Sequence, residues 1–194
     1  MGKNRLEAFS DGVLAIIITI MVLELKMPKG NSIESLKPLF HIFFNYALSF
    51  LYVGIYWNNH HHLLHTCKVI TGRILWSNLH LLFWLSLLPF ATGWMGESFF
   101  APFPTALYGF ILLMAAIAYT ILQLTIIASQ GKDSILKKAV GKDIKGKVSV
   151  TFYLSAFIVA IWVPLLAQLF YVIVALIWLI PDKRIERVLQ SIED

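Results

Sequence analysis

Residues 5–26, RLEAFSDGVLAIIITIMVLELK, decide how the chain is read. An aliphatic run built for lipid follows Gly12, yet Arg5, Glu7, Ser10 and Asp11 crowd its first turns. A charged side chain at the middle of a membrane costs at least about 2.5–3.5 kcal/mol, so such a residue normally meets a partner or a water path. Asp11 stands about 9 Å along a helix from Arg5, so either water reaches it or other helices supply partners at its depth.

The rest of the chain supports a membrane setting. Of 194 residues, 58% are hydrophobic and 14% charged, and the mean hydropathy is +0.74. A soluble domain would carry about a quarter charged residues. The net charge of +5 is therefore no sign of nucleic-acid binding. Cys67 is the single cysteine, which excludes an intrachain disulfide and leaves a thiolate metal site without a second sulfur. No small-residue cleavage pattern follows the first apolar run, so it is expected to be a retained span.

A spanning helix needs about 20 mainly apolar residues. Five runs meet this need, at 6–25, 40–64, 74–94, 104–129 and a long stretch beginning at 148. Pro164 and Gln168 interrupt the last, which predicts a hairpin near 163–168 and two short spans, 148–163 and 165–180. The expected architecture is thus all-α with six transmembrane helices over residues 1–181. Residues 182–194 carry Ile185, Val188, Leu189 and Ile192 at helical spacing, which suggests an amphipathic tail.

Charge placement fits six spans. Of the 16 Lys and Arg, six spans leave only Lys26, Lys29 and Lys37 on one side. The other side takes Lys3, Arg5, Lys68, Arg73, the tail cations, and the loop lysines Lys132, Lys137, Lys138, Lys142, Lys145 and Lys147. The positive-inside rule then puts both termini in the cytoplasm. That orientation gathers Arg5, Ser10, Asp11, Trp57, His60 and Asn78 into one layer at the cytoplasmic side, where a hydrogen-bonded network among three helices would meet their polar needs.

Two chemical readings of this layer have little support. His61 and His65 have the i, i+4 spacing of zinc ligands, without an HExxH pattern or a second cysteine. Ser10, Asp11 and His60 resemble triad components, without a nucleophile elbow or an oxyanion-hole signature. No enzyme, metal site or cofactor is expected. On the first helix, taking Asp11 as zero, Thr19, Leu23, Ile16 and Ile20 fall at about 80°, 120°, 140° and 180°. They form an aliphatic stripe with one hydroxyl, separate from the acid.

R-x3-FSD at Arg5, Phe9, Ser10 and Asp11, continuing through GVLAIIITIMVLE to Glu24, resembles the first helix of the endosomal and lysosomal potassium channel family. W-x2-H at Trp57 and His60 and N-x10-P at Asn78 and Pro89 extend the likeness over three spans. The chain looks like the family's single-repeat prokaryotic branch, which implies an integral protein of a prokaryotic plasma membrane. The resemblance implies a six-span subunit in a homotetramer, its first helices lining a central pore with no re-entrant loop. By position, Ile16, Ile20 and Leu23 would constrict the path, Thr19 would supply a hydroxyl ring, and the FSD residues would brace the helices. K⁺ would be the permeating ion, with the K⁺/Na⁺ ratio and proton passage left open. The crowded NHHHLLH segment leaves open whether His60 or His61 joins the brace. The competing reading is a proton-coupled secondary transporter using Asp11 and His60, although such proteins tend to show internal repeats and broken helices.

Overall fold

The computed structural model describes residues 2–131, 134–141 and 143–179. The regular structure among them is helical: α1 (Lys3–Leu23), α2 (Phe40–His65), α3 (Gly72–Ser86), α4 (Leu88–Glu97), α5 (Pro102–Gln130), α6 (Ile135–Val140), α7 (Ile144–Val159) and α8 (Pro164–Leu179). A 3-10 segment, Ile33–Leu39, leads into α2. Among the described residues, four stretches are long and apolar enough to cross a membrane: Lys3–Leu23, Ile33–His65, Gly72–Glu97 and Pro102–Gln130. Helix α8 is apolar but shorter. The amphipathic tail expected at 182–194 lies outside the described residues.

The third apolar run, expected as one helix over 74–94, is two helices broken at Leu87. Pro89 is the cause. It stands in the first turn of α4, where a missing N–H costs nothing, and its ring cannot coexist with a regular helix four residues back. The Leu87 N–H turns to Trp84 O at 3.3 Å instead. Near the C-terminus, the hairpin expected at 163–168 falls earlier. Helix α7 ends at Val159, residues 160–163 make the turn, and Pro164 opens α8. A proline is well tolerated at a helix's first position, so Pro164 starts a helix here and Gln168 becomes a buried residue inside it.

The lysine-rich loop is more than an orientation signal. Its helix α6 buries Leu136, Ala139 and Val140, and Ser134 caps it by accepting from the Lys137 N–H at 3.2 Å. Asp143 caps α7 in the same way, accepting from the Gly146 N–H at 3.2 Å.

The helices run back and forth between two ends of one bundle. At the end where α1 begins, Lys3 Nζ donates to His65 O at 2.9 Å, and Gln130 Nε2 donates to Thr66 O. At the opposite end, Lys26 of the post-α1 loop pairs with Glu97 of α4 at 2.6 Å, and His41 stacks on Phe99 with ring centroids 4.1 Å apart. Helix α5 packs on α3 and α7, while α1 lies against α2, α3 and α4. The core runs continuously through the bundle, and Tyr52, Tyr108 and Tyr171 are its largest buried side chains.

Candidate functional site

Helix α1 divides into two faces. Leu6, Ser10, Leu14, Ile17 and Met21 are buried against the rest of the chain. At about 100° per residue, with Asp11 again zero, these centre near 260°, so the uncovered face centres near 80°, the direction of Thr19. Gly12, Ala15, Ile16, Thr19, Ile20 and Leu23 are all exposed, with Ile16 at 59% and Leu23 at 76%. The stripe picked out by periodicity is thus the one the rest of the chain leaves open. Thr19 Oγ1 donates to Ala15 O at 2.9 Å, which turns the oxygen's lone pairs away from the helix axis.

The polar residues at the start of α1 form two separate ties, where a single network was expected. The first is sealed. Ser10 and Asn78 are 0% exposed and His60 is 2% exposed. Ser10 Oγ donates to Leu6 O at 2.9 Å, and Asn78 Nδ2 donates to Ser10 Oγ at 2.9 Å. Asn78 Oδ1 lies 2.6 Å from His60 Nε2. An amide oxygen only accepts, so His60 Nε2 carries the proton in this contact. The result is a chain of donors running from α2 through α3 to the backbone of α1. Ser10 and Asn78 each both give and receive, and His60 gives through Nε2, which is how a low-dielectric interior tolerates such groups.

The second tie is open. Trp57 Nε1 donates to Asp11 Oδ1 at 3.0 Å. Trp57 is 49% exposed, and Asp11 is exposed as well. Asp11 therefore does not belong to the buried brace with Ser10. Arg5 and Phe9 are also exposed, and among the described residues Arg5 makes no ion pair with Asp11. His60, and not His61, faces Asn78; His61 stacks loosely with His65, their ring centroids 6.1 Å apart. No group of three or more His, Cys, Asp or Glu that could hold a metal occurs among the described residues.

Beyond these positions the structure adds a cleft of about 500 Å³ between α1 and α4, lined by Ile20, Glu24, Pro89, Phe90, Gly93 and Glu97. Lys26 pairs with Glu97 in that region. A second polar chain also went unforeseen: Thr92 Oγ1 donates to Ser49 Oγ at 2.7 Å, which lies 2.9 Å from the Tyr108 hydroxyl. A buried serine among aliphatic residues is a faint signal, and its partners come from helices distant in sequence.

An all-helical chain with helices long and apolar enough to cross a membrane falls in the class of membrane proteins. The family profile described as "Endosomal/lysosomal potassium channel TMEM175" matches residues 5–89. A potassium channel of Chryseobacterium sp. (strain P1-3) is 59% identical over 191 residues, spanning 98% of this chain and 100% of that one. This chain belongs to the TMEM175 family. A potassium channel of Streptomyces collinus is 31% identical over 60% of this chain and 61% of its own. The human endosomal/lysosomal proton channel TMEM175 is 35% identical over 43% of this chain, which is 19% of the human one. Among solved structures, the crystal structure of a lysosomal potassium-selective channel TMEM175 homolog from Chamaesiphon minutus superposes with a TM-score of 0.79 at 26% identity, covering 93% of this chain and 97% of that one.

Proposed function

We propose that the chain is one subunit of a passive, potassium-conducting channel whose path is lined by copies of α1 around a symmetry axis. The uncovered stripe centred on Thr19 is the observation that carries this reading. One helix cannot enclose a water path, whereas symmetric copies can, and closed cyclic symmetry is the usual arrangement of identical subunits. Relatives named as potassium channels support K⁺ as the ion. The resemblance supplies four as the number of copies.

In that assembly Ile16, Ile20 and Leu23 narrow the path. Rings of such side chains gate by dewetting, and outward-facing hydroxyl oxygens replace part of an ion's hydration shell. Thr19, with its proton already given to Ala15 O, offers such an oxygen. Gly12 and Ala15 share the stripe and leave it wide toward the start of α1. The Ser10–Asn78–His60 chain fixes the rotation of α1, so that the stripe and not the covered face meets the axis. Six spans, with α7 and α8 as the last two, keep both termini in the cytoplasm of a prokaryotic plasma membrane.

A proton-coupled transporter would relay protons between Asp11 and His60. The separate ties of these residues, one to Trp57 and one to Asn78, give that relay no direct bond to run through. Purified protein in liposomes is expected to pass K⁺ down its gradient with no added substrate or energy. Flux equal to that of empty liposomes would refute the channel. Repeating the assay with a pH gradient and equal K⁺ on both sides measures how far protons share the path.

A further inference from the structure

At the end of the bundle where α2, α5 and α8 begin and α4 finishes, a polar layer lies sealed in the interior. Asn45 and Thr105 are 0% exposed and Gln168 is 5% exposed. Among the described residues, neither amide atom of Asn45 has a hydrogen-bond partner, nor does Thr105 Oγ1, nor Gln168 Oε1. Each stands about one turn into its helix, so the three share a depth.

Their surroundings tie them to the last turn of α4. Gln168 Nε2 donates to Met95 Sδ at 3.1 Å. At the next residue, Gly96, a Cβ would sit 3.3 Å from Ile42 Cα and 3.5 Å from Asn45 Nδ2, so α4 comes unusually close to α2 beside the Asn45 amide. Tyr171, one turn beyond Gln168 on α8, donates to the Thr105 carbonyl at 3.0 Å. Native interiors leave very few buried polar atoms unmet. Four in one layer, supplying both donors and acceptors, are the surroundings that ordered internal water selects, since such a molecule makes two to four hydrogen bonds.

We propose that Asn45, Thr105 and Gln168 form a binding site for ordered water inside each protomer, separate from the stripe of α1. None of the three lies on α1. An apolar groove of about 940 Å³ between α2 and α8, lined by Phe40, His41, Phe44, Leu166 and Leu169, borders the layer on the outside at Gln168. The site pins the end of α4. Helix α4 packs directly on α1, and Glu24 lies 3.8 Å from where a Cβ on Gly93 would be. The bound water thereby helps to set the placement of the lining helix near Glu24.

Two buried methionines provide the test. Met95 is 0% exposed beside the polar layer, and Met21 is 2% exposed in the apolar contact face of α1. Pulsed X-ray hydroxyl-radical labelling of the assembled full-length protein in detergent oxidises side chains next to bound water, even buried ones. Met95 is expected to be oxidised several-fold faster than Met21, and Asn45→Leu is expected to bring Met95 down to the Met21 rate. Equal rates in the parent protein overturn the proposal without any variant, and fast Met95 oxidation that survives Asn45→Leu overturns the assignment to Asn45. Thermal unfolding gives an independent reading. With water bound, Asn45→Leu and Thr105→Val lower the Tm, whereas in a dry layer they remove unmet polar atoms and raise it.

Discussion

Replacing Asn78 by leucine tests the buried brace most directly. The substitution removes the donor to Ser10 Oγ at 2.9 Å and the acceptor 2.6 Å from His60 Nε2. Ser10 keeps its bond to Leu6 O, so the serine loses little. His60 is 2% exposed and is left with a buried N–H facing an apolar side chain. A hydrogen bond between membrane helices is worth about 0.6 kcal/mol, and at most about 1.7. A buried donor stripped of its partner costs about 1–3 kcal/mol. The orphaned histidine dominates, and the total loss is expected to be about 2–3 kcal/mol. Ser10→Ala strands only the Asn78 Nδ2 and is expected to cost about 1–2 kcal/mol. For a chain of this length each kcal/mol moves the Tm by about 2–4 °C, which puts Asn78→Leu about 4–12 °C below the parent. Thermal unfolding in detergent, followed by tryptophan fluorescence, reads these shifts. The double variant should lose less than the sum, because both single changes break the same Asn78–Ser10 bond. Additivity within about 0.5 kcal/mol, the figure for independent sites, would refute the chain of donors derived above.

Four further outcomes follow from the same geometry. Ile16→Asn places an amide on the uncovered stripe, so single-channel recordings should show altered conductance or K⁺/Na⁺ selectivity with the stability changed by only about 0.5 kcal/mol or less, as for an exposed position. Asp11→Asn keeps an oxygen for Trp57 Nε1, so size-exclusion chromatography should find assembly intact, while Asp11→Ala loses that bond and about 1 kcal/mol. Burial pushes the Cys67 thiol above its ordinary range, so less of it is thiolate at any given pH, and maleimide labelling near pH 8 should be slow until the protein is unfolded. A Cβ at Gly109 would collide with the Tyr171 hydroxyl and ring, so Gly109→Ala should cost about 1–3 kcal/mol by overpacking, read as a lowered Tm; an unchanged Tm would mean that α5 and α8 stand further apart.

Some of this was legible in the residues themselves and some was not. Ser10, His60 and Asn78 stand out because each is polar within an apolar run, and an interior penalises such groups unless they meet. Depth alone grouped them correctly at one end of the bundle. It could not tell Asp11 from Ser10, since adjacent residues differ by about 100° around the helix and share nearly the same depth. That rotation puts Ser10 into the protomer and Asp11 on its rim. The break at Leu87 was hidden because LLFWLSLLPF reads as continuous hydrophobicity, and only the backbone consequences of Pro89 interrupt it. The orphan atoms of Asn45 and Thr105 had no sequence signal, because whether a polar side chain finds a partner depends on neighbours far away in the chain.

The uncovered face of α1 shows where periodicity stops. Leu6, Leu14, Ile17 and Met21 are as apolar as Ile16, Ile20 and Leu23, so hydrophobicity alone cannot say which set meets the protomer. Two other properties separate them. The covered set carries Ser10, whose hydroxyl is tied to another helix. The uncovered set carries Gly12, Ala15 and Thr19, which are small or hydroxylated and have no partner helix within the protomer. Small side chains on an exposed face gain nothing from lipid contact, because lipid tails are as apolar as leucine and pack against bulk just as well. They do help where identical helices converge on an axis, since they leave room for water between rings of larger residues. In the proposed channel the run that looked most suited to lipid would line a shared aqueous path, and the polar cluster before it would turn that run toward the axis.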